Sequence, residues 1–112
     1  MDAKTAPRLL GLPGVVVWGR EVPIATGLRV RFLGLARLGL DEAGPGLLIP
    51  RCSSVHTFGM RFELDICFLS EGNQLLVVRR EIPARRVISC RGARSVLEIP
   101  AGQGGEFSSL GT

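Results

Sequence analysis

The sequence predicts a mainly β fold, a small β-sandwich or partly open barrel of about seven short strands with one short helix. Three observations predict it. From Phe58 to Phe68 apolar residues hold six successive even positions while Gly59, Arg61, Glu63 and Asp65 hold odd ones, which is the period of a strand. Short apolar runs recur between Gly, Pro, Ser and Asn residues along the whole chain, a spacing that favours an all-β arrangement over a bundle or a parallel sheet. Helical spacing occurs only once, after Thr26.

The elements follow in order. Val15–Trp18 and Glu21–Ile24 flank Gly19 and Arg20 and read as a hairpin, with Pro23 tolerated only at an edge. Thr26 is placed to cap a helix whose Leu28, Phe32 and Leu35 share a face, and Gly34 and Gly39 limit that helix to a few turns. Leu47–Ile49 reads as a buried strand ended by Pro50. The long alternating strand from Phe58 turns apolar on both faces at Cys67 and Leu69, and Asp65 stands at that boundary. Ser70–Asn73 has the composition of a turn, and Leu75–Val78 is the return strand of a hairpin. Arg86–Cys90 and Ser95–Ile99 are two further strands around Gly92, and Pro100–Gly102 closes the pattern with a turn.

With 112 residues and 46% apolar side chains, the chain is long enough for one domain with a real core, so residues 1–112 are expected to form a single domain. Its first residues lack the continuous apolar region of a signal peptide, and no segment reaches the roughly 20 apolar residues of a membrane span. A cytoplasmic protein with no membrane span is expected. Cys52, Cys67 and Cys90 are an odd number, so a fully paired disulfide framework is excluded and reduced thiols are expected. The net charge of +4 comes from thirteen arginines and Lys4 against ten acids. Six of those arginines, at positions 79, 80, 85, 86, 91 and 94, lie in one stretch with Glu81 as its sole acid. Such a strip can attract phosphate backbones. It is not interleaved with aromatic residues that could stack on bases, so nucleic-acid binding is carried as an alternative.

The segment CSSVHTFGMRFELD, Cys52 to Asp65, holds the chain's one histidine. Cys52, His56 and Asp65 have the chemical types of a nucleophile, a base and an orienting acid. If Cys52 to His56 is extended, their backbones lie about 13 Å apart, and only a turn after Pro50 could bring them together. The same distance argues against a shared metal ion, and no metal or other cofactor is expected. Glu98 sits in an otherwise apolar run and needs a partner if buried; Arg31 or Arg94 could serve. Asp65 is expected to pair with Arg61 or to accept backbone amide bonds.

Taken together, Arg31–Leu35, Gly46–Pro50, Cys52 through His56-Thr57 to Met60, Asp65–Phe68 and Val96–Gly102 resemble the domain-of-unknown-function family numbered 192, over about residues 25–111. The resemblance implies a compact, mostly β fold found in bacterial and archaeal proteins both with and without an N-terminal membrane anchor, and no established reaction. It departs from the family's pattern at Glu63, where relatives commonly have a proline. It also implies that His56, Thr57, Asp65 and Glu98 could line a polar cleft, to which Arg31 is added as a candidate partner of Glu98. The reading that follows is a binding module for an unknown small ligand or protein partner, of unassigned oligomeric state. The alternatives are a Cys-His hydrolase or transferase using Cys52 and His56, and nucleic-acid binding through Arg79–Arg94.

Overall fold

Apolar residues on both faces of two strands, Leu64–Leu69 and Ser95–Pro100, decide the architecture, because strands buried on both sides must lie inside a sheet that is itself covered twice. The computed structural model describes residues 6–102. Eight strands are formed among them: β1 (Gly14–Val17), β2 (Arg20–Pro23), β3 (Leu47–Pro50), β4 (Ser54–His56), β5 (Leu64–Leu69), β6 (Leu75–Ile82), β7 (Val87–Ser89) and β8 (Ser95–Pro100). One short helix, α1 (Leu28–Leu33), and two 3-10 turns, Pro7–Leu9 and Leu40–Glu42, complete the described elements. The fold is mainly β, as the periodicity predicts. It is not a closed barrel: an antiparallel four-stranded sheet in the order β3-β8-β5-β6 is accompanied by the hairpin β1-β2 and the pair β4-β7.

Strand alternation divides the core between the two faces of the central sheet. On one face Leu48, Cys67, Leu69, Leu97 and Ile99 pack with Val17 and Val22 of the β1-β2 hairpin. On the other, Leu47, Ile49, Leu64, Ile66, Phe68 and Val96 pack with Leu35, Ala36, Leu38, Val55, Met60 and Ile88. The hairpin therefore covers one face, while the segment after α1 and the β4-β7 pair cover the other.

Local chemistry explains where the elements differ from expectation. The β1-β2 turn is Trp18–Gly19, one residue earlier than expected, and both residues have positive φ (51° and 84°), as a two-residue hairpin turn of matching twist requires. Trp18 tolerates that conformation with its indole N–H anchored on the Asn73 carbonyl at 2.9 Å. The long strand expected from Phe58 begins only at Leu64. Gly59 takes a φ of 83° and the Met60 N–H bonds back to the Thr57 carbonyl, so Phe58–Glu63 is a loop although its apolar residues alternate. Its preceding residues, Ser54–His56, pair instead with Val87–Ser89.

The helix also departs from its pattern. Gly27, not Thr26, stands at the N-cap and the helix stops at Gly34. Leu28 and Phe32 are 84% and 70% exposed, and only Leu35, already past the helix end, enters the core. No helix among the described residues is long and apolar enough to cross a membrane.

Candidate functional site

Glu98 is one of the few polar residues buried in the interior of the fold. β8 carries it on the same face as Val96, where it lies opposite Leu47 of β3 and Ile66 of β5, and it is 2% exposed. Its Oε1 accepts the Leu35 N–H at 3.2 Å. Burial pushes the carboxyl up to about 7, against the opposing pull of the Leu35 N–H and the charge of Arg8. A group so placed is protonated in part at neutral pH, and can then donate a hydrogen bond as well as accept one.

The chain bends closely around this carboxyl. Gly34 has a φ of 55°, and a β-carbon there would sit 2.5 Å from Glu98 Oε1. A β-carbon at Gly46 would sit 2.5 Å from the Glu98 carbonyl oxygen. From the far side Arg8 grips the same segment, with Nε and Nη2 donating to the Gly34 carbonyl at 3.2 and 2.9 Å and Nη2 reaching the Ala36 carbonyl as well. Burial lowers the Arg8 guanidinium from its ordinary value, and neighbouring Arg29 adds to that shift.

Beside Glu98 lies a cavity of about 90 Å³ lined by Arg31, Phe32, Ile49, Ser54, Val55, His56 and Glu98. Arg31 projects from α1, and its Nη2 donates to the Pro50 and Arg51 carbonyls at 2.9 and 3.0 Å. Its Nε is buried and has no hydrogen-bond partner among the described residues. His56, at the end of β4, has both ring nitrogens engaged: Nδ1 accepts the Phe58 N–H at 3.2 Å and Nε2 lies 2.9 Å from the Phe32 carbonyl. Because Nδ1 accepts, the ring proton belongs on Nε2, which donates to Phe32.

Outside this cavity, and sharing Phe32 and His56 with it, is a groove of about 350 Å³ whose other walls are Leu33, Ala36, Arg37, Phe58 and Gly59. The ring centroids of Phe32 and Phe58 lie 4.9 and 5.9 Å from that of His56, and both phenylalanines are exposed. Three aromatic rings close together in a groove that shares Phe32 and His56 with the cavity beside Glu98 make an amphipathic cleft.

Of the residues singled out in the sequence, the structure brings Arg31, His56 and Glu98 together. Thr57 is fully buried but turned elsewhere: its hydroxyl donates to the Pro83 carbonyl at 2.7 Å and accepts the Arg86 N–H at 2.8 Å. Asp65 lies on the opposite face of the sheet from Glu98, cross-strand from Ile99. There its Oδ1 accepts the Glu81 N–H at 2.9 Å and its Oδ2 meets Arg80 at 3.4 Å. β6 places both Arg80 and Glu81 opposite Asp65, so the carboxylate satisfies an amide that the bulge removes from the ladder. Its ionic partner is thus Arg80, not Arg61, while the backbone bond is of the expected kind.

Cys52 is not in the cleft. Its thiol donates to the Ser54 carbonyl at 3.1 Å, and it lines a larger groove of about 590 Å³ with Arg51, Ser53, Glu71, Ala93 and Arg94. The polar side chains there are exposed, so size alone does not make that groove the better site. Cys67 is buried behind β5, and burial with the Asp65 charge raises its thiol to about 12, which keeps it unreactive. Among the described residues no three His, Cys, Asp or Glu side chains gather closely enough to hold an ion. Sequence reasoning did not find Arg8, Phe32, Phe58 or Gly46 as site residues. Gly34 was visible only as a helix breaker.

The comparisons agree with a fold that carries no established activity. The chain is similar to a protein of unknown function from Novosphingobium aromaticivorans DSM 12444, with a TM-score of 0.64 and 18% identity over 93% of this chain and 84% of that one. It is also similar to a candidate transcription regulator from Sinorhizobium meliloti 1021, with a TM-score of 0.63 and 19% identity over 85% of this chain and 83% of that one. At such identities the likeness speaks for the fold. No curated protein matches the sequence. Residues 18–108 match the family DUF192, described as "Uncharacterized ACR", and the chain belongs to that family.

Proposed function

We propose that this chain is a non-enzymatic binding module whose small ligand occupies the cleft between α1 and the His56–Phe58 segment. One observation carries the reading: Arg31, whose Nε is buried without a partner among the described residues, lines a cavity together with Glu98 and His56. A buried donor left unpaired costs about 1–3 kcal/mol. Its neighbouring Nη2 is already spent on two carbonyls, so the guanidinium is held in place and cannot turn to another protein group. A ligand supplies the missing acceptor once the side chains over Nε part to admit it. The exposed rings of Phe32 and Phe58 supply apolar contact at the mouth.

A small ligand fits this arrangement better than a protein surface, because the polar groups lie at the bottom of a concavity. Catalysis by Cys52 and His56 needs the thiol and the ring within hydrogen-bond reach, and their hydrogen bonds run to different partners. We also infer a single domain working in the cytoplasm, a setting that suits three free cysteines.

The test is a fragment screen followed by amide shifts of the labelled protein in NMR. Saturable shifts at Phe32, Leu35, His56 and Phe58 are expected. Shifts confined to the groove around Cys52 and Arg94 would move the site there and remove this reading.

A further inference from the structure

We propose that the ligand is a small monocarboxylic acid with an aromatic or branched apolar body, its carboxylate seated beside Arg31 and Glu98 and its body lying in the outer groove against Phe32, His56 and Phe58. This deepens the binding reading above and rests on it. Four features of the cleft select that class.

The first is the sign of the unpaired group. Arg31 Nε can only donate, and Glu98 is the one carboxylate among the residues lining the cavity. A carboxylate oxygen makes the stronger, charge-assisted bond to that nitrogen. The second is size. A cavity of about 90 Å³ corresponds to about three waters at their share of liquid volume, which is room enough for a carboxylate group. A phosphate or sulfate, with up to two charges, is repelled more strongly by a buried acid than a carboxylate with one.

The third is the character of the outer groove. At about 350 Å³ and walled by Phe32, Leu33, Ala36, Phe58 and the His56 ring, it lies at the lower end of ligand-pocket volumes and suits a body the size of a phenyl ring with a short linker. The charged residue in that wall is Arg37, so the mouth is positive and draws an anion inward. The fourth is Glu98 itself. In its protonated form it donates to a second carboxylate oxygen, and in its charged form it repels the same ligand.

Binding is therefore coupled to the protonation of Glu98. The charged or titratable groups facing it are Arg8 from the first 3-10 turn, Arg31 from α1 and His56 from β4. Its cross-strand neighbours Leu47 and Ile66 do not titrate, and Asp65 lies across the sheet. With the Glu98 carboxyl at about 7, the protonated fraction falls about tenfold from pH 6 to pH 8. Monocarboxylate affinity is expected to fall with it.

The experiment titrates the full chain with 3-phenylpropionate, with 3-phenylpropanamide as its neutral counterpart and with 3-phenylpropylamine as a cation, following amide shifts at pH 6 and pH 8. The acid is expected to shift Phe32, Leu35, His56 and Phe58 saturably, about tenfold more tightly at pH 6 than at pH 8, and at least about tenfold more tightly than either counterpart at pH 6. In Glu98→Gln, which keeps a neutral hydrogen-bonding group and the Leu35 contact, the acid is expected to bind equally at both pH values. If the amide or amine shifts the same residues as tightly as the acid, the carboxylate class is wrong while the site stands. If none of the three shifts those residues at either pH, both the class and the binding reading of this cleft fall.

Discussion

A carboxyl held in the interior leaves a thermodynamic trace at the scale of one residue. Glu98 has an ordinary value of 4.5 and a folded value of about 7, so between these pH values the folded chain keeps a proton that the unfolded chain has released. Stability from this group is fully present below about 4.5 and is lost as pH rises through about 7, by an amount on the order of 3 kcal/mol in total. Glu98→Gln removes the titration and keeps an oxygen for the Leu35 N–H. Urea unfolding at pH 5 and pH 8 is expected to show the variant with a smaller difference between the two conditions than the parent, and more stable than the parent at pH 8. An unchanged difference would assign the pH dependence to another group. That Glu98 must be partnered was legible in the sequence, since a lone acid stood in an apolar run. Its partner was not, because a backbone N–H at Leu35 and a loop made close by Gly34 leave no mark on side-chain pattern.

At the scale of an element, α1 poses the opposite problem, a helix of six residues with none of them buried. Helices of this length do not persist by propensity, and Gly27 offers no side-chain cap. Val30 packs in part against the core, and hydrogen bonds hold the helix laterally: Arg31 reaches the Pro50 and Arg51 carbonyls, and His56 donates to the Phe32 carbonyl. His56→Ala is expected to cost about 1–2 kcal/mol and to speed hydrogen exchange at the Arg31 and Gly34 amides, which close onto Gly27 and Val30. The amides of β5 and β8 should keep their protection up to the global limit, and Cys52→Ala should leave α1 unaffected. Equal acceleration in both variants would mean that His56 does not anchor the helix. The sequence showed the helix and its end, but its face was misread because Leu28, Phe32 and Leu35 share a spacing that ordinarily marks burial. Here Leu28 and Phe32 are both exposed, and Phe32 lines the cleft. Alternation misled in the same way at Phe58–Glu63, where a positive φ at Gly59 breaks the strand that the apolar residues suggest.

For the whole molecule the open question is what keeps the central sheet from growing. The order β3-β8-β5-β6 leaves β6, eight residues from Leu75 to Ile82, with a single paired neighbour among the described residues. Leu76 and Val77 are exposed on it, and a long edge carrying apolar residues is a template for a second copy. Two devices oppose that. The bulge facing Asp65, with Glu81 at a φ of 53°, bends the far end of the strand, and exposed Arg79 and Arg80 place like charges where an antiparallel copy would have to pair. Two of the six arginines that raised nucleic-acid binding as an alternative, Arg79 and Arg80, thus have a physical role at the sheet edge. Since Arg80 also serves Asp65, Arg79 is the residue to change. Arg79→Val removes one charge and adds a strand-forming side chain, and is expected to give concentration-dependent association in sedimentation velocity where the parent sediments unchanged. Identical sedimentation of the two would show that charge is not what holds this edge open, and would return Arg79 to the search for an acidic or nucleic-acid partner, whose binding would weaken steeply with salt.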